Sequence, residues 1–200
     1  MTSPAHLQHN LCYHIYNRGV NRENIFVEEK NYEYFTQLYL KYTSPVADTF
    51  AFCMLRNHFH LLVRIRSREE IELEQTLKDS ESFRVSQQFS NFFNAYAKSI
   101  NKAYGRTGSL FQHPFGRRIV HTHAYFLRAV RYIHQNPQKH GFVRDFRDWP
   151  HSSYPIFLDS TPAFVMREQV LAWFGGVDGY VRIHRENLEN APFAPDDEED

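Results

Sequence analysis

Two histidines separated by a single residue, His58-Phe59-His60, open a run that alternates between polar and apolar side chains as far as Ile65. Successive side chains of a strand point to opposite faces, so His58, His60 and Arg64 share one face while Phe59, Leu61, Val63 and Ile65 take the other. Two imidazoles side by side on a strand can converge on a divalent ion. The pattern is short for a chain with twelve histidines, and a pair of partly exposed structural histidines satisfies it as well. The second group is Arg131-Tyr132-Ile133-His134-Gln135-Asn136-Pro137. Phe126, Leu127, Val130 and Ile133 form the apolar stripe of a helix, whereas Arg128, Tyr132 and Asn136 recur every four residues on a different, polar face. A phenol so placed is not required for the core, and the Asn136 carbonyl oxygen can serve as a third metal ligand. An ordinary amphipathic tyrosine, followed by an asparagine that ends the helix, accounts for the same spacing.

The charge distribution bears on what such a site would act on. Lys and Arg balance Asp and Glu at 23 each, yet Ser82 to Arg144 contains no carboxylate and ten Lys or Arg residues. An acid-free stretch of that length reads as a phosphate-binding surface, the alternative being a basic face that pairs with the acidic flanks. Candidate contacts are Arg18 and Arg22 in the turn-rich segment Asn17 to Arg22, together with Lys98, Lys102, Arg106, Arg117, Arg118, Arg128 and Arg131. The loop Gly105-Arg106-Thr107-Gly108-Ser109 combines glycines, hydroxyls and an arginine that would allow close backbone approach to phosphate. It lacks the P-loop lysine pattern, so nucleoside triphosphate hydrolysis is not indicated. Tyr96, Tyr104, Phe111 and Phe115 offer rings on which unpaired bases could stack, although Phe89, Phe92, Phe93 and Tyr96 have the spacing of a core stripe.

Positioning these groups requires a sheet and at least one helix packed near it. Alternation from Leu11 to Arg18 predicts a first strand, and Asn31 to Tyr42 has helical periodicity. Thr49 to Leu55 and His58 to Ile65 predict a hairpin, Ile71 to Lys78 a short acidic helix, and Phe83 to Tyr104 a long helix closed by Gly105. Arg117 to His121 then reads as a strand, and Ala124 to Asn136 as a helix stopped by Pro137. The order β-α-β-β-α-β-α predicts an α+β fold, a ferredoxin-like antiparallel sheet with helices packed on one face and an additional, tyrosine-bearing helix. The histidine face, lacking a continuous apolar surface, is expected to stay open. Residues 1–155 would form the catalytic domain, 156–190 a C-terminal helical extension, and 191–200 an acidic disordered tail ending in Asp196-Asp197-Glu198-Glu199-Asp200. With 42% hydrophobic residues, no apolar run long enough for a membrane helix and no signal-peptide pattern at the N-terminus, the chain is expected in the cytoplasm, away from membranes. Cys12 and Cys53 lack disulfide or zinc spacing and read as buried small hydrophobes.

Four ordered blocks give the sequence a family resemblance. They are Tyr13-His14-Ile15-Tyr16-Asn17-Arg18-Gly19, Met54 to Val63 with its His58-Phe59-His60 core, Tyr104 to Phe115 with Gly108-Ser109-Leu110-Phe111-Gln112, and Arg131 to Pro137 continuing through His140-Gly141 to Trp149-Pro150. Across roughly Tyr13 to Tyr154 the chain resembles the single-tyrosine HUH transposases, and within them the transposase-like proteins associated with repetitive extragenic palindromes. The resemblance implies that His58 and His60 bind a catalytic Mg²⁺ or Mn²⁺, that Asn136 supplies the amide ligand, and that Tyr132 is the nucleophile. It also implies cleavage and transfer of single-stranded DNA through a 5′-phosphotyrosyl adduct with a free 3′-hydroxyl, at a hairpin or palindrome, by a monomer or a homodimer. Arg128 and Arg131 would supply a basic field favouring phenolate. Departures are minor: Phe59 takes the hydrophobe position of the motif, His134 and Gln135 fill variable places, and the acidic tail is foreign to the pattern. Two other functions compete, a domesticated protein that binds DNA or RNA hairpins without cutting, and a metal-dependent phosphodiesterase of small nucleotides, which the long basic stretch disfavours.

Overall fold

The structure, a computed structural model, describes residues 6–75, 85–159 and 163–186. The acidic run Asp196 to Asp200, Arg84, and the expected helix ends at Lys78 and Phe83 lie outside the described residues. Strands β1 (Cys12–Arg18), β2 (Ala47–Met54), β3 (His58–Ile65) and β4 (Gly116–Val120) form one sheet in the order β2-β3-β1-β4, every neighbouring pair antiparallel. Helices α1 (Glu29–Thr43) and α3 (Val85–Ala103) cross over one face, with the short α2 (Arg68–Gln75) after β3. Helix α4 (His123–Lys139) follows β4, and α5 (Arg167–Phe174) and α6 (Gly176–Arg185) complete the order. The α+β class and the strand and helix sequence are those expected.

The first face is covered by aromatic packing. A reciprocal capping box between Glu28 and Asn31 starts α1, which then lays Phe35 5.0 Å from the Phe59 ring and 4.7 Å from Phe92 of α3. Phe93 packs 5.6 Å from Phe59 and 5.1 Å from Phe115. Tyr96, Phe111 and Phe115 are thus buried in this layer, the Tyr96 hydroxyl donating to the Ile25 carbonyl, and they are not available to stack bases. Gly105 closes α3 in the left-handed conformation expected of it.

The second face is covered too, which corrects the expectation of an open sheet. Every residue of β2 is buried, as in strands packed on both sides. A register shift between Thr49 and Ala51 accompanies the turn of Phe50 toward α4, where it meets Phe126 at 5.1 Å. Phe126, Ala129, Val130 and Ile133 line the buried stripe of α4. Pro137 does not stop this helix: it lies inside the last turn, which is closed by the His140 N–H donating to the Asn136 carbonyl at 3.0 Å. Proline forfeits one backbone bond there, yet the helix continues to Lys139 with both Asn136 and Pro137 buried. Helices α5 and α6 dock on the outer side of α4, Trp173 lying 4.4 Å from Phe126. Cys53 is fully buried as expected, whereas Cys12 is only half-buried.

Candidate functional site

His58 and His60 open β3 and point toward α4, where both are nearly fully buried. Each ring is held through Nδ1. For His58 that atom lies 2.7 Å from Asn57 Oδ1, and for His60 it lies 2.9 Å from Nε2 of His14, on the neighbouring strand β1. Both Nε2 atoms are thereby left for another role. His58 Nε2 faces Asn136 Oδ1 at 3.1 Å, while His60 Nε2 and Asn136 Nδ2 are buried with no protein partner. A neutral imidazole carries one N–H, so His58 cannot donate to both amide oxygens that flank it. Turning the Asn136 amide over still leaves one of its polar atoms unmet. Buried polar atoms left without partners are costly, and two imidazoles beside a carboxamide oxygen are a donor set that suits a divalent ion. Among the described residues no cluster of three or more His, Cys, Asp or Glu could hold a metal, so a metal at this point would need the Asn136 amide as well.

The electrostatics keep the imidazoles neutral. Burial is the largest cause in each case. It lowers His58 to about 4, reinforced by His140 and Arg18 and opposed by the Asn136 hydrogen bond. His60 is pushed well below the usual range by burial and by His14, His58 and His140. His14 falls to about 3 through burial and the nearby Arg118. All three are therefore neutral at pH 7.

Tyr132 stands one helical turn before Asn136 on the same face of α4, half-buried. Its ring meets His60 edge-on at 5.6 Å and His14 at 6.0 Å. A cleft of about 240 Å³ opens beside it, lined by Tyr16, Arg18, His58, His60, Gln112 and Tyr132 among others. Gly116 shapes this cleft, since a Cβ there would lie 2.3 Å from the Tyr16 ring. Glycine lets that ring lie across β4 at the mouth of the site.

Sequence reasoning grouped His58, His60, Tyr132 and Asn136, and the structure brings these four and Arg18 together. The other candidate cations are distributed differently. The cation over the Tyr132 ring is Lys139, with Nζ 5.2 Å from its centre. Arg128 instead lies over Tyr125, and Arg131 donates to Gln135. Arg118 shares the histidine face through its pairing with His14, whereas strand alternation turns Arg117 to the opposite face, over Phe115. Lys98 and Lys102 are exposed on α3, across the sheet from Tyr132. Arg22 is exposed in the turn after β1. Arg106 is ion-paired with Glu23, and its loop is closed by Asn101 donating to the Gly108 carbonyl, so the expected phosphate cradle is engaged with the protein itself. The acid-free stretch thus occupies both faces and one edge of the sheet and does not form one continuous surface. His14, Lys139 and His140 went unassigned. Lys139 lies seven residues from Tyr132, two turns along the same helix, a signal hidden by the expectation that Pro137 ends it.

No protein-family model matches the chain. A curated protein of Haemophilus influenzae named "Putative REP-associated tyrosine transposase" is 26% identical over 112 residues, covering 54% of this chain. The match spans 58% of that relative's length. A solved structure of a REP-associated tyrosine transposase bound to a REP hairpin superposes with a TM-score of 0.58 at 18% identity, covering 79% of this chain and 85% of that one. The family resemblance of the four sequence blocks and the ferredoxin-like α+β class agree with both. Among the described residues no helix is long and apolar enough to cross a membrane.

Proposed function

We propose that the protein is a DNA-processing enzyme that cleaves and rejoins a single strand at a hairpin, using Tyr132 as nucleophile beside a divalent ion held by His58, His60 and Asn136. The observation that carries this reading is the convergence of two neutral imidazoles and one amide, short of hydrogen-bond partners, next to a half-buried phenol on the facing helix. The similarity to transposases supports a DNA substrate, and the hairpin bound by the structural neighbour makes a hairpin with a single-stranded flank the substrate to try first.

The metal, Mg²⁺ or Mn²⁺, would polarise the scissile phosphate and neutralise charge building on its oxygens. The chain's own residues supply the rest. The Tyr132 oxygen attacks phosphorus, forming an O–P bond as the bond from phosphorus to the 3′-oxygen breaks. The phenol releases its proton, the departing 3′-oxygen gains one, and the 5′-phosphate remains esterified to Tyr132. Attack by a 3′-hydroxyl reverses these steps and restores the phenol, so rejoining needs no external energy source. Lys139, above the ring, favours the phenolate, and Arg18 lines the same cleft as a partner for phosphate. Buried and neutral, His58 and His60 serve as ligands and not as proton donors.

The test is incubation with end-labelled hairpin oligonucleotides and Mn²⁺, followed by denaturing electrophoresis. A denaturant-resistant protein–DNA band that requires Tyr132 is expected. Tight hairpin binding with no such band would assign the protein to binding without cleavage.

A further inference from the structure

Behind Tyr132, on the side of α4 turned away from the cleft, runs a fully buried chain of polar groups that the proposed chemistry does not use. His134 lies between Tyr132 and Asn136 in sequence and is completely buried. Its Nε2 is 2.7 Å from Ser153 Oγ and its Nδ1 is 2.9 Å from His184 Nε2 of α6. Ser153 Oγ also accepts from the Phe52 N–H of β2 at 2.9 Å, and His184 Nδ1 lies 2.8 Å from the Tyr180 carbonyl.

Donor and acceptor logic orders these bonds in one direction. A carbonyl only accepts, so His184 donates from Nδ1 and, being neutral, must accept at Nε2. His134 therefore donates from Nδ1 and accepts at Nε2, which makes the Ser153 hydroxyl the donor there. The sequence Phe52 N–H to Ser153 to His134 to His184 to the Tyr180 carbonyl uses each of its donors once, and the Tyr180 hydroxyl, 3.1 Å from His134 Nδ1, donates to the Tyr154 carbonyl at 3.2 Å. Phe52 pairs with Leu61, the residue after His60. The network thus ties the strands carrying the imidazoles and the helix carrying Tyr132 and Asn136 to a common node, with α6 as the far anchor.

We infer that His134 and His184 are positioning residues, which set the register of α4 against β3 so that Tyr132 and Asn136 meet His58 and His60, and that α6 is part of the active-site scaffold. The inference rests on the function proposed above for its catalytic consequence, and on geometry alone for its structural one. A fully satisfied buried network specifies one arrangement where apolar packing tolerates several. A helix displaced by about 1 Å at a reacting centre is expected to lower the rate on the order of 100-fold, and lost outer support of a metal ligand weakens ion affinity by roughly 10- to 100-fold.

The experiment compares wild type with Ser153→Ala, His184→Phe and His134→Gln, the last placing an amide where Nε2 stood. Three quantities are read on folded protein: adduct formation at saturating hairpin, the Kd for that hairpin, and Mn²⁺ affinity by electron paramagnetic resonance. The nuclear Overhauser contact between the Tyr132 and His60 rings reports their separation without metal or DNA. Ser153→Ala and His184→Phe are expected to slow adduct formation roughly 10- to 100-fold, weaken Mn²⁺ binding and diminish the ring contact, with hairpin Kd within about twofold. His134→Gln should keep most of the wild-type rate, and lose it when combined with Ser153→Ala. Unchanged ring contact, rate and Mn²⁺ affinity in folded Ser153→Ala and His184→Phe would overturn the inference. A wild type that forms no adduct overturns the proposed function instead, and the ring contact then decides the positional claim alone.

Discussion

His58 Nε2 and Asn136 Oδ1 face each other at 3.1 Å although 78 residues separate them in the chain. One belongs to the sheet and the other to the helix that covers it, so their contact measures whether the two layers are in register. A cation between layers would act as a clamp across them.

That clamp has a thermodynamic signature. Mn²⁺ at about 100 times its Kd should stabilise the fold by about 2.7 kcal/mol, raising the melting temperature by several degrees. His58→Ala and His60→Ala should abolish the shift, whereas Asn136→Ala should reduce it. Scanning calorimetry with and without chelator measures this directly, and an equal shift in all four proteins would place the ion elsewhere.

Tyr132→Phe is expected to eliminate the covalent adduct while hairpin affinity stays within about twofold, because the ring retains its contacts with His60 and His14. Persistence of an adduct in the mutant, mapped by peptide sequencing, would move the nucleophile to another side chain.

Acid should begin to destabilise the protein above the pH range in which ordinary carboxylates titrate. His14 falls to about 3, and His58 and His184 to about 4, burial being the first cause of each. Their unfolded counterparts bind protons near pH 6.5, so between pH 6.5 and 4 the unfolded chain holds more protons than the folded one. Stability therefore rises with pH across that window and is lost as pH falls, by roughly 3 kcal/mol for His58 or His184 taken to its folded value. Urea midpoints from pH 7 to 4 should show this slope, and His184→Phe should flatten it. A midpoint independent of pH in that range would contradict the buried, neutral state of these rings.

Charge reversal should separate the cations by face. Arg18→Glu and Arg118→Glu are expected to weaken hairpin binding and reduce its log–log salt slope by roughly 0.7 per lost single-strand contact. Lys98→Glu and Lys102→Glu, across the sheet, should leave both nearly unchanged. Fluorescence anisotropy over a salt series decides; equal losses on the two faces would mean the strand wraps around the β4 edge.

The sequence reveals most where a signal is local. Alternation through His58 to Ile65 puts both imidazoles on one face, and the four-residue repeat of Tyr132 and Asn136 puts phenol and amide together; both follow from geometry within one element. The support of His60 by His14 was not legible, because it depends on how β1 pairs with β3, 46 residues away. The covering of the histidine face was obscured by reading polarity there as openness, when α4 brings its own polar groups to meet it. Arg117 and Arg118 looked like one patch, although strand alternation alone is enough to part them.

A timing follows from the connectivity. A ribosome delivers the imidazoles of β3 long before α4 and α6, with 126 residues between His60 and Glu186. At about 5–20 residues per second that interval is on the order of ten seconds. Until Tyr132 is made, the nascent chain possesses both imidazoles and lacks the phenol, and the α6 anchor arrives later still. If the proposed chemistry holds, a copy that ends before Tyr132 cannot form the covalent adduct.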